Sequence, residues 1–131
     1  MSESTTLPAN YRLLETHEWH SEEGGIVTIG ITQFAADELT DVTYVELPKV
    51  GAKIAANARF GTIESVKATS DLYTGVAGTV VEVHSAINDD PALVNKEPYT
   101  GGWLIKLQAD NAADVQKLHS AIEYLTKTGQ G

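Results

Sequence analysis

FGTIESVKATSDLY, residues 60–73, contains two patterned segments separated by a short polar run. Small, apolar and polar residues alternate up to Glu64, and Leu72 and Tyr73 follow the polar run. This pattern predicts two strands that meet at a turn, with Lys67 near its tip. A lysine on a hairpin turn is usually a solvated charge that protects a sheet edge, and the local pattern by itself favours that interpretation. The rest of the chain decides whether Lys67 has a further role.

The size and charge of the chain limit its organisation and its partners. Its 131 residues are enough for one ordinary domain with one core. Nine Lys and Arg against 18 Asp and Glu give a formal net charge of -9, which repels nucleic-acid phosphates and anionic lipid surfaces. We therefore expect a flexible N-terminus at residues 1–8, a single domain at residues 9–131, and neither nucleic acid nor membrane as a partner.

Cysteine is absent from the chain, and its absence excludes disulfides, thiolate nucleophiles and cysteine-ligated metals. Any sulfur redox chemistry must therefore come from an attached group. Residues 1–6 lack the basic start and the apolar stretch of a secretory signal, and no apolar run is long enough to span a bilayer. We expect a cytoplasmic protein.

Short β-branched segments separated by turn residues predict a mainly β barrel or sandwich. In residues 42–47 we expect strict alternation between the two faces of a strand. In residues 79–84 we expect Val81 and Val83 on one face and Val80 on the other. Residues 85–95 are expected to form a loop or a single helical turn.

Helical signals occur in the middle and at the end of the chain. Thr32 is placed to cap a short helix over residues 33–39. After Asn111, apolar residues recur at helical spacing, and Ser120 and Glu123 match the capping box. We expect two short C-terminal helices with a break near Ser120.

A conventional enzyme is one hypothesis to test. His17 and His20 flank Glu18, but residues three apart on a strand face opposite ways, and no third metal ligand is evident, so a metal site is not favoured. Ser65 and Lys67 would need a special geometry to act as a nucleophilic pair, and the sequence does not indicate one. No catalytic residue is therefore assigned.

A carrier protein is the second hypothesis. The segment Glu64-Ser65-Val66-Lys67-Ala68 resembles the attachment site of lipoyl domains, and Gly78, eleven residues after the lysine, also fits that pattern. In a biotinyl domain methionines would bracket the lysine, whereas valine and alanine stand beside it here. The resemblance implies lipoate covalently attached to Lys67, with Glu64 and Gly78 taking part in recognition by the attaching enzyme.

Segments outside the hairpin indicate which family of lipoyl carriers the chain resembles. Over residues 11–124 the chain resembles the glycine cleavage system H-protein family, and a lipoyl domain of a 2-oxo acid dehydrogenase would not share these segments. They are Thr16-His17-Glu18-Trp19, Gly30-Ile31-Thr32, Val45-Glu46-Leu47-Pro48 with Gly51, Ser70-Asp71 with Tyr73, Leu93-Val94-Asn95, and Pro98-Tyr99 with Gly102-Trp103.

This resemblance implies both a fold and a function. The fold would be a lipoyl-type flattened β-barrel, a barrel-sandwich hybrid, with a short internal helix and C-terminal helices. The protein would be a carrier and not an enzyme: its lipoyl arm would take an aminomethyl group from the glycine-decarboxylating P protein to the T protein. Dihydrolipoyl dehydrogenase, the L protein, would reoxidise the arm, and a lipoate ligase or a lipoyl or octanoyl transferase would attach it. The alternative is a relay protein that donates lipoate to other lipoyl domains.

The same resemblance implies a surface cleft beside the hairpin that shelters the loaded arm. We expect Glu18 and Asp71 to form its acidic lining, because a carboxylate pairs with an aminomethyl cation. The chain departs from the family pattern at four positions. Family members often carry glycine where Thr40 stands, a small residue and proline at Thr74 and Gly75, and asparagine near His84. We expect altered local conformation there and retained lipoylation.

Overall fold

The computed structural model describes residues 7–129. The predicted flexible segment at residues 1–8 lies outside this range except for Leu7 and Pro8. Within the described range the chain forms strands β1 (Arg12–Leu13), β2 (Glu18–Glu23), β3 (Ile26–Ile31), β4 (Val42–Glu46), β5 (Lys53–Ile54), β6 (Arg59–Ser65), β7 (Thr69–Tyr73), β8 (Gly78–Val83), β9 (Ile105–Ala109) and β10 (His119–Ser120). Its α-helices are α1 (Gln33–Leu39), α2 (Ala92–Lys96) and α3 (Ala121–Lys127), and 3₁₀ turns cover Ser85–Asn88 and Ala112–Lys117.

These strands form two antiparallel sheets. The larger has the order β10-β1-β2-β3-β9-β8-β5, and the smaller has the order β4-β6-β7. The mainly β prediction is therefore confirmed, together with the internal helix and the C-terminal helical segments. The two sheets are not closed into one barrel, so the observed architecture is the flattened, sandwich-like form of the predicted fold.

Two groups of buried side chains hold the elements together. The larger lies between the sheets and includes Val27, Ile29 and Ile31, which alternate along β3 and form its inner face. The smaller lies under α3, where Tyr124 packs in one cluster with Trp19. Because β2 carries Trp19 and pairs with β3 along its whole length, the two groups meet at these two strands.

The predicted helix caps are confirmed. Thr32 precedes α1 and accepts a hydrogen bond from the Ala35 amide at 3.2 Å. Ser120 and Glu123 form the full capping box at the start of α3, at 3.2 Å and 2.9 Å. These caps satisfy amides that have no partner within the helix, and they set where each short helix begins.

Two predictions of strict strand alternation are wrong, and β-bulges explain both. In β4 the register shifts between Val42 and Tyr44, so Val42 and Val45 are both buried although they are three residues apart. In β8 the register shifts after Val80, which leaves Val81 40% exposed and only Val83 of that pair packed against the core. A bulge places two residues opposite one and so rotates the following side chains.

The prediction of a loop or a single helical turn for residues 85–95 accounts for the 3₁₀ turn at Ser85–Asn88 but misses α2. Two asparagines from this segment bind β4. Asn88 exchanges hydrogen bonds with the backbone of Val45 at 2.9 Å and 2.8 Å, and the Asn95 side-chain oxygen accepts from the Val42 amide at 3.0 Å. Because β4 is an edge strand, these side chains replace the neighbouring strand that it lacks.

The connection between α1 and β4 contains a strained residue. Thr40 has φ 62° and ψ -144°, a conformation that favours glycine and is unfavourable for a β-branched side chain. The side-chain nitrogen of Asn95 donates to the Thr40 carbonyl oxygen at 2.6 Å and holds this conformation. Glycine would adopt the same φ and ψ without this strain.

We predict that Thr40→Gly raises the free energy of unfolding by about 1 kcal/mol, because relief of about 1–3 kcal/mol of strain exceeds the entropic cost of glycine. Urea denaturation monitored by tryptophan fluorescence measures this change. Thr43→Gly is the matched control, because Thr43 is an exposed residue in β4, where glycine is expected to destabilise by about 1 kcal/mol. Equal destabilisation by both substitutions would contradict the assignment of strain to Thr40.

Candidate functional site

Lys67 lies in a tight turn between β6 and β7. The Ser65 amide donates to the Ala68 carbonyl oxygen at 2.8 Å, and the Ser65 hydroxyl oxygen accepts from the Lys67 and Ala68 amides at 3.2 Å and 3.0 Å. The Val66 amide donates to the Asp41 carbonyl oxygen at 3.0 Å, which ties the turn to the α1–β4 connection. These bonds use backbone groups and one short side chain, so the turn is held without the lysine side chain.

The Lys67 side chain is exposed, and its ammonium donates to the Glu38 carbonyl oxygen near the end of α1 at 3.1 Å. Val66 beside it is 70% exposed. A single surface hydrogen bond to a carbonyl oxygen holds the amine weakly, because water replaces that bond at little cost. The amine is therefore available for chemical modification.

A cavity of about 220 Å³ is lined in part by Glu38, the residue whose carbonyl oxygen accepts the hydrogen bond from Lys67. One wall is α1, another is β7, and the floor comes from β2, β3 and β6. The lining residues are Thr16, His17, Glu18, Ile31, Phe34, Ala35, Glu38, Leu39, Ile63, Ser70, Asp71 and Leu72. The structure thus brings Glu18 and Asp71, which are 53 positions apart in sequence, to one cavity.

Glu18 is the most buried acid in this cavity, with 1% of its surface exposed. One carboxylate oxygen accepts a hydrogen bond from the Thr16 hydroxyl, and the other accepts from the Tyr73 amide at 2.9 Å. Burial raises the pKa of Glu18 from 4.5 to about 7, against the lowering effect of these hydrogen bonds. An acid that is partly ionised near neutral pH is suited to pair with a cation that enters the cavity.

Asp71 differs from Glu18 in its surroundings. It is exposed on β7, opposite Thr62 of β6, and the Tyr73 hydroxyl lies 3.4 Å from one of its carboxylate oxygens. The cavity therefore has a buried carboxylate at its floor and a solvated one at its rim.

Glu64 and Gly78, the other two residues singled out from the sequence, lie outside the cavity. Glu64 is exposed on β6 opposite Thr69, three residues before Lys67. Gly78 is buried in β8 of the larger sheet, where an added Cβ would lie 2.5 Å from the Gln108 carbonyl oxygen. Gly78 therefore has a structural reason to be glycine, namely the close approach of β9.

Three cavity residues were missed by the sequence analysis: His17, Phe34 and Glu38. The spacing of Phe34 and Glu38 along α1, four residues apart, could have indicated one helix face. His17 has φ 83°, and its ring lies 4.9 Å from that of Phe34. No sequence signal shows that a histidine before a strand occupies this conformation, because long-range contacts hold it.

Gly75, one of the four positions where the sequence departs from the expected family pattern, bonds a residue that is distant in sequence. His20 is completely buried, and its Nε2 accepts from the Gly75 amide at 2.9 Å, while Nδ1 lies 3.3 Å from the Arg12 carbonyl oxygen. Proline at position 75 has no amide hydrogen to donate. The bond to His20 therefore requires a residue other than proline at position 75. Burial lowers the pKa of His20 to about 4.

The model of the glycine cleavage H-protein family matches residues 11–130 of the chain. The chain belongs to this family. It is 49% identical over 125 residues to a glycine cleavage system H protein of Bacillus cereus, with 95% of this chain and 98% of the relative covered. A Bacillus mycoides H protein is 48% identical over the same length. The crystal structure of an H protein from Mycobacterium marinum superimposes with a TM-score of 0.85 at 35% identity, over 94% of this chain and 99% of the other.

Membership of the H-protein family identifies the chain as a lipoyl carrier and not an enzyme. Within residues 7–129, none of the helices has the length and apolar character needed to cross a membrane.

We predict opposite pH effects of Glu18 and His20 on stability. The folded-state pKa of Glu18, about 7, lies above its ordinary value of 4.5, so its contribution to stability falls as pH rises between them. The folded-state pKa of His20, about 4, lies below its ordinary value of 6.5, so its contribution falls as pH decreases between them. Glu18→Gln should therefore make stability rise more steeply from pH 4.5 to 6.5, by up to about 1.4 kcal/mol per pH unit.

Urea denaturation at several pH values measures this slope, and Glu23→Gln is the control because Glu23 is exposed at the end of β2. The control should keep the slope of the unsubstituted protein. The same slope in Glu18→Gln would show that the pKa of Glu18 is not raised.

Proposed function

We propose that the protein is a lipoyl-bearing shuttle of the glycine cleavage system, with the arm attached as an amide to Lys67. Residues 9–131 act as one carrier domain. The observation that carries the proposal is an exposed lysine in a turn held by backbone groups and the Ser65 hydroxyl. Its ammonium bonds the carbonyl oxygen of Glu38, and Glu38 lines a cavity that contains the buried Glu18 carboxylate. A bound lipoyl group supplies the dithiolane sulfur chemistry that a chain without cysteine lacks.

The residues fit a lipoyl arm on three grounds. Within residues 7–129 the exposed Lys67 amine has one hydrogen bond, to a carbonyl oxygen, so conversion to an amide leaves no buried charge without a partner. Ile63, Leu72 and Phe34 give the cavity apolar surface that suits an aliphatic chain. The cavity is about 220 Å³, which suits one end of a slender arm and not a large cofactor.

Each group of residues has its own part in the shuttle. Glu18 and Asp71 attract a cationic aminomethyl cargo, and a cation beside Glu18 favours its ionised form. The apolar walls exclude water, which slows hydrolysis of the cargo. The Thr16 hydroxyl and the Tyr73 amide keep the Glu18 carboxylate in place.

The partners follow from this role. The P protein loads the arm, the T protein unloads it, and dihydrolipoyl dehydrogenase reoxidises it. Before that, a lipoate ligase or a lipoyl or octanoyl transferase attaches the arm. We propose that this enzyme recognises the turn with Glu64, which is exposed on the same hairpin, and that Gly78 contributes to recognition indirectly, by allowing the close approach of β9 to β8 in the larger sheet. Attachment to one carrier raises the effective concentration of the arm at each partner to about the millimolar range.

We predict a single lipoyl mass increment on the peptide that contains Lys67, and none in Lys67→Arg. Intact-mass and peptide mass spectrometry after expression with lipoate and a lipoate ligase measure it. Lys53→Arg, which alters an exposed lysine in β5, should remain fully lipoylated. An unmodified wild type beside a modified carrier from another protein would refute the attachment site.

Glycine decarboxylation with the P protein separates the shuttle from a lipoyl relay. Lipoylated protein should stimulate this reaction, and no stimulation would favour the relay.

We also predict that Glu18→Gln and Asp71→Asn shorten the lifetime of the loaded carrier. Loss of one charge-assisted hydrogen bond, about 1.5–3 kcal/mol, corresponds to a roughly tenfold or larger change at the buried Glu18 and a smaller one at the exposed Asp71. Mass spectrometry of the loaded protein over time measures the decay, and Glu23→Gln is the control. Unchanged lifetimes in both variants would rule out the acidic lining.

A further inference from the structure

Helix α3 contacts the residues around the cavity through the hydroxyl group of Tyr124. Tyr124 of α3 is completely buried, and its hydroxyl lies 2.6 Å from Nδ1 of His17 and 3.1 Å from the Thr32 hydroxyl. His17 lines the cavity, and Thr32 caps α1, the helix that forms one of its walls. Tyr124 itself is not among the lining residues.

The hydrogen atoms of this network can be assigned by requiring each buried donor to have an acceptor. The Thr32 oxygen accepts from the Ala35 amide and has its own hydrogen to place; among the described residues the Tyr124 oxygen is the acceptor within reach, so Thr32 donates to Tyr124. The Tyr124 hydrogen then goes to Nδ1 of His17. This assignment leaves the His17 hydrogen on Nε2, a tautomer inferred from the network.

His17 needs this support because its backbone is strained. Its φ of 83° is uncommon for a residue other than glycine. The Thr32 amide donates to the His17 carbonyl oxygen at 2.9 Å, and the His17 amide donates to the Leu14 carbonyl oxygen at 3.0 Å. Strained conformations persist only where the surroundings determine them fully, and they are frequent at binding sites. The Tyr124 hydroxyl supplies the hydrogen bond to the His17 side chain, whose ring also packs beside the rings of Phe34 and Tyr124.

We propose that Tyr124 is a positioning residue for cargo protection, because its hydroxyl holds the His17 ring and the start of α1 as two walls of the arm cavity. This inference rests on the proposed function, in which the loaded arm occupies that cavity. Tyr124 acts through His17 and Thr32 and does not touch the arm. The lysine turn is held separately by Ser65 and Asp41, so cargo lifetime depends on Tyr124 while lipoylation does not.

Tyr124→Phe tests the proposal because it removes the hydroxyl and keeps the ring that packs against Trp19 and Leu13. Tyr11→Phe is the matched control: it removes a hydroxyl bonded to the Tyr99 carbonyl oxygen at 3.1 Å, beside the same cluster but away from the cavity. We expect full lipoylation of both variants, a loaded-carrier lifetime shortened about tenfold in Tyr124→Phe, and an unchanged lifetime in Tyr11→Phe. An unchanged lifetime in Tyr124→Phe, with Glu18→Gln still shortening it, overturns this inference alone.

A second measurement does not need the arm. In unlipoylated protein, ¹⁵N chemical shifts of the His17 ring report its tautomer, and they should change in Tyr124→Phe and not in Tyr11→Phe. Unchanged His17 shifts would overturn the inference, whatever the fate of the proposed function. If instead these shifts change while Glu18→Gln and Asp71→Asn leave the lifetime unaltered, the proposed cavity function fails and the hydroxyl contact stands.

His17→Gly provides a further check, since glycine adopts the same φ without strain. Its effect on the lifetime should not add to that of Tyr124→Phe, because both remove the same contact. Full additivity in the double variant would contradict the proposal.

Discussion

The buried carboxylate of Glu18 is the contact on which the site depends. Glu18 begins β2 of the larger sheet. Its carboxylate accepts a hydrogen bond from the Tyr73 amide, at the end of β7 in the smaller sheet. The Tyr73 amide can donate to the carboxylate only if the two sheets keep their spacing at this point. The same spacing leaves room for the cavity, which residues of both sheets line. Since an acid buried without partners would be costly, the same bonds that stabilise the carboxylate join the sheets where the arm would enter.

The boundary between the fixed turn and the freer side chain lies at Lys67. The turn around Lys67 is fixed by Ser65 and by the bond to Asp41, and the α1–β4 connection behind it is fixed by Asn95. Among the described residues, the Lys67 side chain is restrained by one hydrogen bond, to the Glu38 carbonyl oxygen. A carrier needs this division, because a fixed attachment point defines the reach of the arm while a free arm visits several active sites. Helix α1 contacts the Lys67 side chain through the Glu38 carbonyl oxygen and also lines the cavity.

Much of the fold was predictable because the signals for it are local. The hairpin, the inner face of β3 and the caps at Thr32 and Ser120 depend on periodicity or on bonds within a few residues. The two failures in β4 and β8 arise at bulges, where one extra residue shifts the register without a mark in the sequence. Helix α2 was missed because Asn95, like Asn88 in the preceding turn, takes its role from β4, which lies 53 residues from Asn95 and 43 from Asn88.

For the site, the sequence by itself determined the hairpin with Lys67 near its tip and the family, because both depend on residue identity at short spacing. It also indicated two acids for the cleft by resemblance. Only the tertiary structure decided that Glu18 is buried while Asp71 is solvated, that His17 and Phe34 share the cavity with them, and that Tyr124 from the last helix holds His17. The reason is physical: burial, pKa and hydrogen-bond direction are properties of surroundings, and contacts between sequence-distant residues create those surroundings.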